Sequence, residues 1–147
     1  MQLSQNFTLE EMTKSQTAER KGITNMPTAD SIHNLVMLAE NILQPVRNEF
    51  GTFMVSSGYR SPELSIAIGS SKDSQHCTGS AADVEVANVD NYVLAQWIRD
   101  NLVFDQLIME CYTGGNTGWI HCSYAQRASK ELLTYDRVNK YRQGLIK

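Results

Sequence analysis

The sequence predicts an α+β domain, with helices packed on one face of a small, mainly antiparallel sheet. Three observations predict it. From residue 28 or 30 to 50, apolar residues recur at spacings of three and four, the mark of a long amphipathic helix. Two strand-like segments, 106–112 and 118–124, flank the turn-forming Thr113-Gly114-Gly115-Asn116-Thr117 and so read as an antiparallel hairpin. Residues 81–86 alternate, with Asp83 and Glu85 on one face and Val84 and Val86 on the other. No repeat, low-complexity tract or Gly/Ser/Pro linker divides the 147 residues, so a single domain spanning 1–147 is expected.

The elements follow in order. Thr8 and Glu11 form a capping box in which the threonine caps a first short helix and the glutamate reaches back to it. Residues 15–21 read as a second short helical turn, stopped by Gly22. In the long helix, Ile32, Leu35, Val36, Ala39, Ile42, Leu43 and Val46 make one buried stripe. Pro45 should kink it, because proline removes a donor and crowds the preceding turn, and Gly51 should end it. A short strand is expected at 52–56. Ser61-Pro62 then has the chemistry of a helix start, for a helix reaching about Gly69. After the strand at 81–86, Asn88 or Asp90 opens a helix that buries Val93, Leu94, Trp97 and Ile98. Beyond the hairpin, one more strand is expected near 132–135.

Charge narrows the partners. The net charge of −3 argues against nucleic acid, whose phosphates need clustered Lys and Arg. The one locally basic stretch, 127–147, reads as a solvated surface segment. No apolar run is long enough for membrane insertion, and the polar start, Met1-Gln2-Leu3-Ser4-Gln5-Asn6, lacks the basic and apolar regions of a signal peptide. Synthesis and folding in a cytoplasm are therefore expected. Three cysteines, an odd number, fit a reducing compartment rather than a disulfide framework.

Each of the three histidines can be weighed singly. His33 falls beside the apolar stripe near the start of the long helix and reads as structural or surface. His76 sits in a loop of small residues, seven positions before Asp83 opens a strand, so imidazole and carboxylate can converge. His121 lies in the second hairpin strand. Two imidazoles and one carboxylate supply three ligands and leave a fourth tetrahedral position open, the layout of a catalytic rather than a structural zinc.

Around these residues lie Ser57-Gly58-Tyr59-Arg60-Ser61-Pro62, the spaced pattern Ser74-x-His76-x-x-Gly79-x-Ala81-x-Asp83, and Trp119-Ile120-His121. Together they resemble the zinc D-Ala-D-Ala carboxypeptidase and L-alanyl-D-glutamate endopeptidase family, peptidoglycan peptidases that share a fold with the hedgehog signalling domain. The similarity runs from about Asn6 to Tyr124 and looks nearest to the compact form found in bacteriophage genomes and prophages.

The resemblance implies a hedgehog/DD-peptidase-like fold and one zinc ion held by His76, Asp83 and His121. It also implies hydrolysis of a peptide bond in the peptidoglycan stem peptide, by a monomer acting as a D,D-carboxypeptidase or endopeptidase in phage lysis or wall remodelling. Without a signal peptide, such a protein reaches the wall by holin-type release. Arg60 matches the arginine that holds a substrate carboxylate or carbonyl oxygen, a task suited to a guanidinium fork, and with zinc it would stabilise the oxyanion. The competing reading of Arg60 is a salt bridge tying the turn to the helix. Ser74 matches a residue bordering the same pocket.

The sequence departs from part of the family at the general base. Many relatives carry Glu three residues before the last histidine, where this chain has Gly118. The best substitute is Glu110 on the partner strand, placed to take a proton from a zinc-activated water and pass it to the leaving amine. Its competing reading is a strand-end charge paired with Arg or Lys. Asp105 and Glu85 are better explained as structural. Cys77, Cys111 and Cys122 each follow a site residue. In strands, neighbours face opposite sides, so Cys111 and Cys122 should turn into the core as small filler. The alternative function is a non-catalytic zinc-binding module, since hedgehog-type relatives keep the metal without peptidase activity.

Overall fold

Five side chains that favour caps start five helices in the computed structural model, which describes residues 1–147. Thr8 accepts from the Glu11 amide to open α1 (Leu9–Thr13), and Ser15 accepts from Ala18 to open α2 (Gln16–Lys21). Thr28 caps α3 (Ala29–Leu38), Ser61 caps α5 (Pro62–Ala67), and Asp90 caps α6 (Asn91–Asn101). Each side-chain oxygen satisfies a backbone donor that the helix cannot, worth about 1 kcal/mol. The capping box differs in one detail. The Thr8 hydroxyl, not its amide, faces the Glu11 carboxylate, at 3.4 Å.

The long helix behaves unexpectedly at Pro45. Instead of a simple kink, Ala39–Leu43 winds as a π-turn in which the Gln44 amide donates to the Ala39 carbonyl, five residues back. The widened turn lies just ahead of the residue that lacks a donor, and α4 (Gln44–Phe50) continues from it to the Gly51 cap.

Six strands make the main sheet: β3 (Met54–Ser57), β4 (Ala81–Glu85), β5 (Gln106–Glu110), β6 (Trp119–Ser123), β7 (Glu131–Asp136) and β8 (Lys140–Gln143), in the order β3-β4-β6-β5-β7-β8. All neighbours are antiparallel except β5 and β7, which run parallel because the chain leaves β6 and returns along the far side of β5. A separate two-stranded hairpin, β1 (Gln2–Ser4) with β2 (Phe7–Thr8), was not anticipated from the sequence. The stretch 127–147, expected as a surface segment with one strand, instead adds two strands to the sheet. Alternation hides in β8, Lys140-Tyr141-Arg142-Gln143, because none of its residues is buried.

One face of the sheet is the core. Ala82, Val84, Leu107, Met109, Ile120 and Cys122 bury against Leu35, Leu38, Ile42, Leu43, Val46, Leu94, Ala95 and Ile98 from the helices. Each large side chain so buried contributes about 1.5–3 kcal/mol. The phase of α6 differs from expectation: Asn91 and Ala95 are buried, whereas Val93 is half exposed. Asn91 tolerates burial because its Nδ2 donates to the Thr117 carbonyl at 2.8 Å. No helix is long and apolar enough to cross a membrane. Strand alternation sends every second residue of β4, β5 and β6 to the opposite face, and that face carries the chemistry.

Candidate metal centre

Asp83 on β4 pairs directly with His121 on β6, which pairs in turn with Ile108 on β5. The carboxylate and imidazole therefore meet through register alone. His76 arrives from outside the sheet, on a 3₁₀ turn (Gln75–Thr78) that Ser74 caps by accepting from the His76 amide. The turn ends at Gly79 with φ +76°, and a Cβ there would strike the Ser31 carbonyl of α3. The glycine lets the loop lie against the helix and drop straight into β4.

The ligand atoms of His76, Asp83 and His121 all lie within 4.8 Å of one another. Asp83 Oδ1 is 3.4 Å from His76 Nε2 and 3.3 Å from His121 Nδ1. The His76 ring donates from Nδ1 to the Gly58 carbonyl at 2.7 Å, which fixes Nε2 as the nitrogen turned to Asp83. Burial opposes ionisation of Asp83, yet its hydrogen bonds with His121 and His76 outweigh that and hold its carboxyl well below the usual carboxylate range. An ionised carboxylate and two neutral-capable imidazoles, converged and nearly buried, fit a zinc ion that keeps one position open.

That position faces a cleft of about 520 Å³ lined by Arg60, Ser74, Gln75, Ile108, Glu110, Trp119 and Tyr141 beside the three ligands. Glu110 is on the site face of β5, opposite Trp119. Trp119 Nε1 donates to Glu110 Oε2 at 2.8 Å, so the carboxylate is held by an indole and not by Arg or Lys. Burial and the nearby Asp83 charge raise the Glu110 pKa, only partly offset by His121, Trp119 and Arg60. Gly118, which takes the place of the relatives' glutamate, has φ +65°, and a Cβ there would collide with the Glu110 carbonyl. No side chain fits at that position in this backbone.

Arg60 enters no ion pair, and its Nε is buried without a hydrogen-bond partner. The salt-bridge reading of Arg60 is thus excluded, and its guanidinium is left over at the cleft. Asp105 is structural, as expected: it is 3% exposed and accepts from Ser129, Arg127 and Gln75. Glu85 is half-buried outside the cleft lining, and His33 is exposed on α3.

Cys122 meets expectation: it is core, where burial pushes its thiol pKa up. Cys77 is buried in the 3₁₀ turn. Cys111 does not turn into the core. It lies one residue past β5 with φ +55°, where alternation no longer applies, and is only half-buried.

Sequence reasoning missed Gln75, the tie from Trp119 to Glu110, and Tyr141 on the cleft. The Tyr141 ring packs on Tyr135 at 4.7 Å, and the Tyr135 backbone pairs with Glu110. The parallel pairing of β7 with β5, which brings this end of the chain to the cleft, is not visible in sequence.

Comparison with curated proteins gives no match. The family model described as Peptidase M15 matches residues 5–123, which include all three candidate ligands and every cleft residue named above except Tyr141. Members of that family are zinc metallopeptidases, in keeping with the His76, Asp83 and His121 group, and on this match the chain belongs to the Peptidase M15 family.

Proposed function

We propose that this protein hydrolyses a peptide bond in the stem peptide of peptidoglycan, on a hedgehog/DD-peptidase-like fold, as a D,D-carboxypeptidase or endopeptidase of phage lysis or wall remodelling. The observation that carries this reading is the unpaired Arg60 guanidinium on the same cleft as the three ligands. No acceptor of the protein takes this guanidinium, so its fork is free to bind a substrate carboxylate or carbonyl oxygen in the cleft. Short bacterial stem peptides offer such groups beside every scissile bond.

His76, Asp83 and His121 would hold zinc, which when bound supplies Lewis acidity toward water and the scissile carbonyl. Glu110 accepts a proton from the attacking water and returns it to the departing amine. Trp119 occupies Oε2, which leaves Oε1 for that proton. Arg60 steadies the oxygen on which negative charge develops. Ser74 borders the cleft while its hydroxyl oxygen caps the turn that carries His76.

The test is purified, zinc-loaded protein incubated with peptidoglycan of several wall types, with and without chelator. New free amino groups are expected, and mass spectra of the muropeptides identify the bond. Absence of chelator-sensitive release from every wall type, at full zinc occupancy, would favour a non-catalytic zinc module instead.

A further inference from the structure

Gln75 occupies the unspecified position between Ser74 and His76, and its side chain bridges the metal group to a buried carboxylate. Gln75 Nε2 donates to Asp105 Oδ2 at 3.0 Å, while Gln75 Oε1 lies 3.5 Å from His121 Nε2. Asp105 is itself clamped. Its Oδ1 accepts from the Ser129 amide at 3.1 Å and from Arg127 Nε at 3.3 Å. Arg127 and Ser129 lie beyond the residues that the family model matches, so the clamp is closed by the C-terminal segment of this chain.

The orientation of a glutamine amide follows from its partners. Burial opposes ionisation of Asp105, but the Ser129, Arg127 and Gln75 donors outweigh it and hold its pKa below the usual value. An ionised carboxylate only accepts, so the amide must present NH₂ to Asp105 and turn Oε1 toward His121. Nδ1, the atom 3.3 Å from Asp83, is the ring nitrogen inside the ligand group; when a cation takes its lone pair, Nε2 carries the ring proton and finds the Gln75 Oε1 acceptor waiting. The other histidine is set in a different way, by the Gly58 carbonyl.

We propose that Gln75, oriented by Asp105, is a positioning residue that sets the tautomer of His121 and so strengthens metal binding. This rests on the reading of His76, Asp83 and His121 as zinc ligands. Outer partners of this kind govern ligand basicity and ring angle, and losing one typically weakens metal affinity roughly 10- to 100-fold.

Three variants test it: Gln75→Leu, Gln75→Glu, and Gln75→Glu combined with Asp105→Asn. Zinc affinity is read by chelator competition, site geometry by the visible spectrum of the cobalt(II)-substituted protein, and fold by melting of the metal-free protein. Gln75→Leu should weaken zinc at least tenfold and shift the cobalt spectrum with little change in metal-free melting. Gln75→Glu sets two carboxylates side by side and should weaken zinc as well. In the double variant an amide at position 105 can keep its oxygen on Ser129 and donate to the new carboxylate, so most of the affinity should return. Native affinity and an unchanged cobalt spectrum in Gln75→Leu would overturn the proposal. So would a double variant no better than Gln75→Glu, a comparison that still decides if Gln75→Leu fails to fold. Failure of the native protein to bind zinc would instead refute the metal site on which the proposal rests.

Discussion

Asp83 and His121 face each other as a cross-strand pair of β4 and β6, with Asp83 Oδ1 3.3 Å from His121 Nδ1. The same oxygen is 3.4 Å from His76 Nε2, so a single carboxylate oxygen serves both imidazoles. A cation bound among these atoms would replace those contacts by coordination. Zinc should therefore raise the melting temperature of the native protein, by about 2.7 kcal/mol of stability at a hundredfold excess over the dissociation constant. Asp83→Ala and His121→Ala should melt at a temperature that zinc does not change, and chelator should remove activity that added zinc restores. Calorimetry with and without metal checks the two melting outcomes, and the peptidoglycan release assay checks the third.

Glu110 differs from the ligands in being held by one hydrogen bond and in having a raised pKa. Glu110→Gln should lower kcat by about 10²- to 10⁴-fold, the usual worth of a general base, while zinc affinity stays native. The base works ionised. Since its pKa is raised above the usual value of 4.5, the acid limb of kcat/KM should lie above that of a free carboxylate, with activity rising as pH increases through it. The residual activity of Glu110→Gln should lack this limb. Full activity in that variant would remove Glu110 from the mechanism.

Gly118 makes a sharper case for the position of the base. Restoring the glutamate that many relatives carry, by Gly118→Glu in the Glu110→Gln background, should not recover activity. It should also cost about 1–3 kcal/mol of stability, because φ +65° is unfavourable for a side chain and the added Cβ meets the Glu110 carbonyl. Thermal melts and the same release assay report the two effects separately. Recovered turnover would mean that the turn can rearrange.

Tyr141 is 58% exposed, packs on Tyr135 and lines the cleft. Such a ring offers a face to substrate atoms beyond the scissile bond. Tyr141→Ala should raise KM severalfold and leave kcat and melting temperature close to native. Steady-state kinetics on isolated muropeptides separate the two parameters.

How much of this was legible in one dimension depends on the range of each interaction. Thr8, Ser15, Thr28, Ser61 and Asp90 cap helices through donors two or three residues away, so the starts at Thr8 and Ser61 could be read directly and those of α3 and α6 to within two residues. Strand alternation is equally local, and it separated Asp83 from Val84 and His121 from Cys122. The ligand set followed from spacing, small residues and resemblance. Cys111 shows the limit, since alternation stops where the strand stops. The parallel return of β7 along β5 left no periodic signal, and neither did the bridge from Asp105 through Gln75 to His121.

By itself, then, the sequence determined the α+β class and the first helix caps, because short-range hydrogen bonds and the two-residue period of a strand dictate them. Spacing together with the family resemblance named the three residues able to hold a metal. Only the tertiary structure decided that position 118 cannot bear a base and that Trp119 holds Glu110. It alone left Arg60 unpaired and brought Tyr141 of the C-terminal strands to the cleft. Those outcomes depend on which backbone atoms meet across strands and loops distant in sequence, and that is settled by packing rather than by any local preference of the chain.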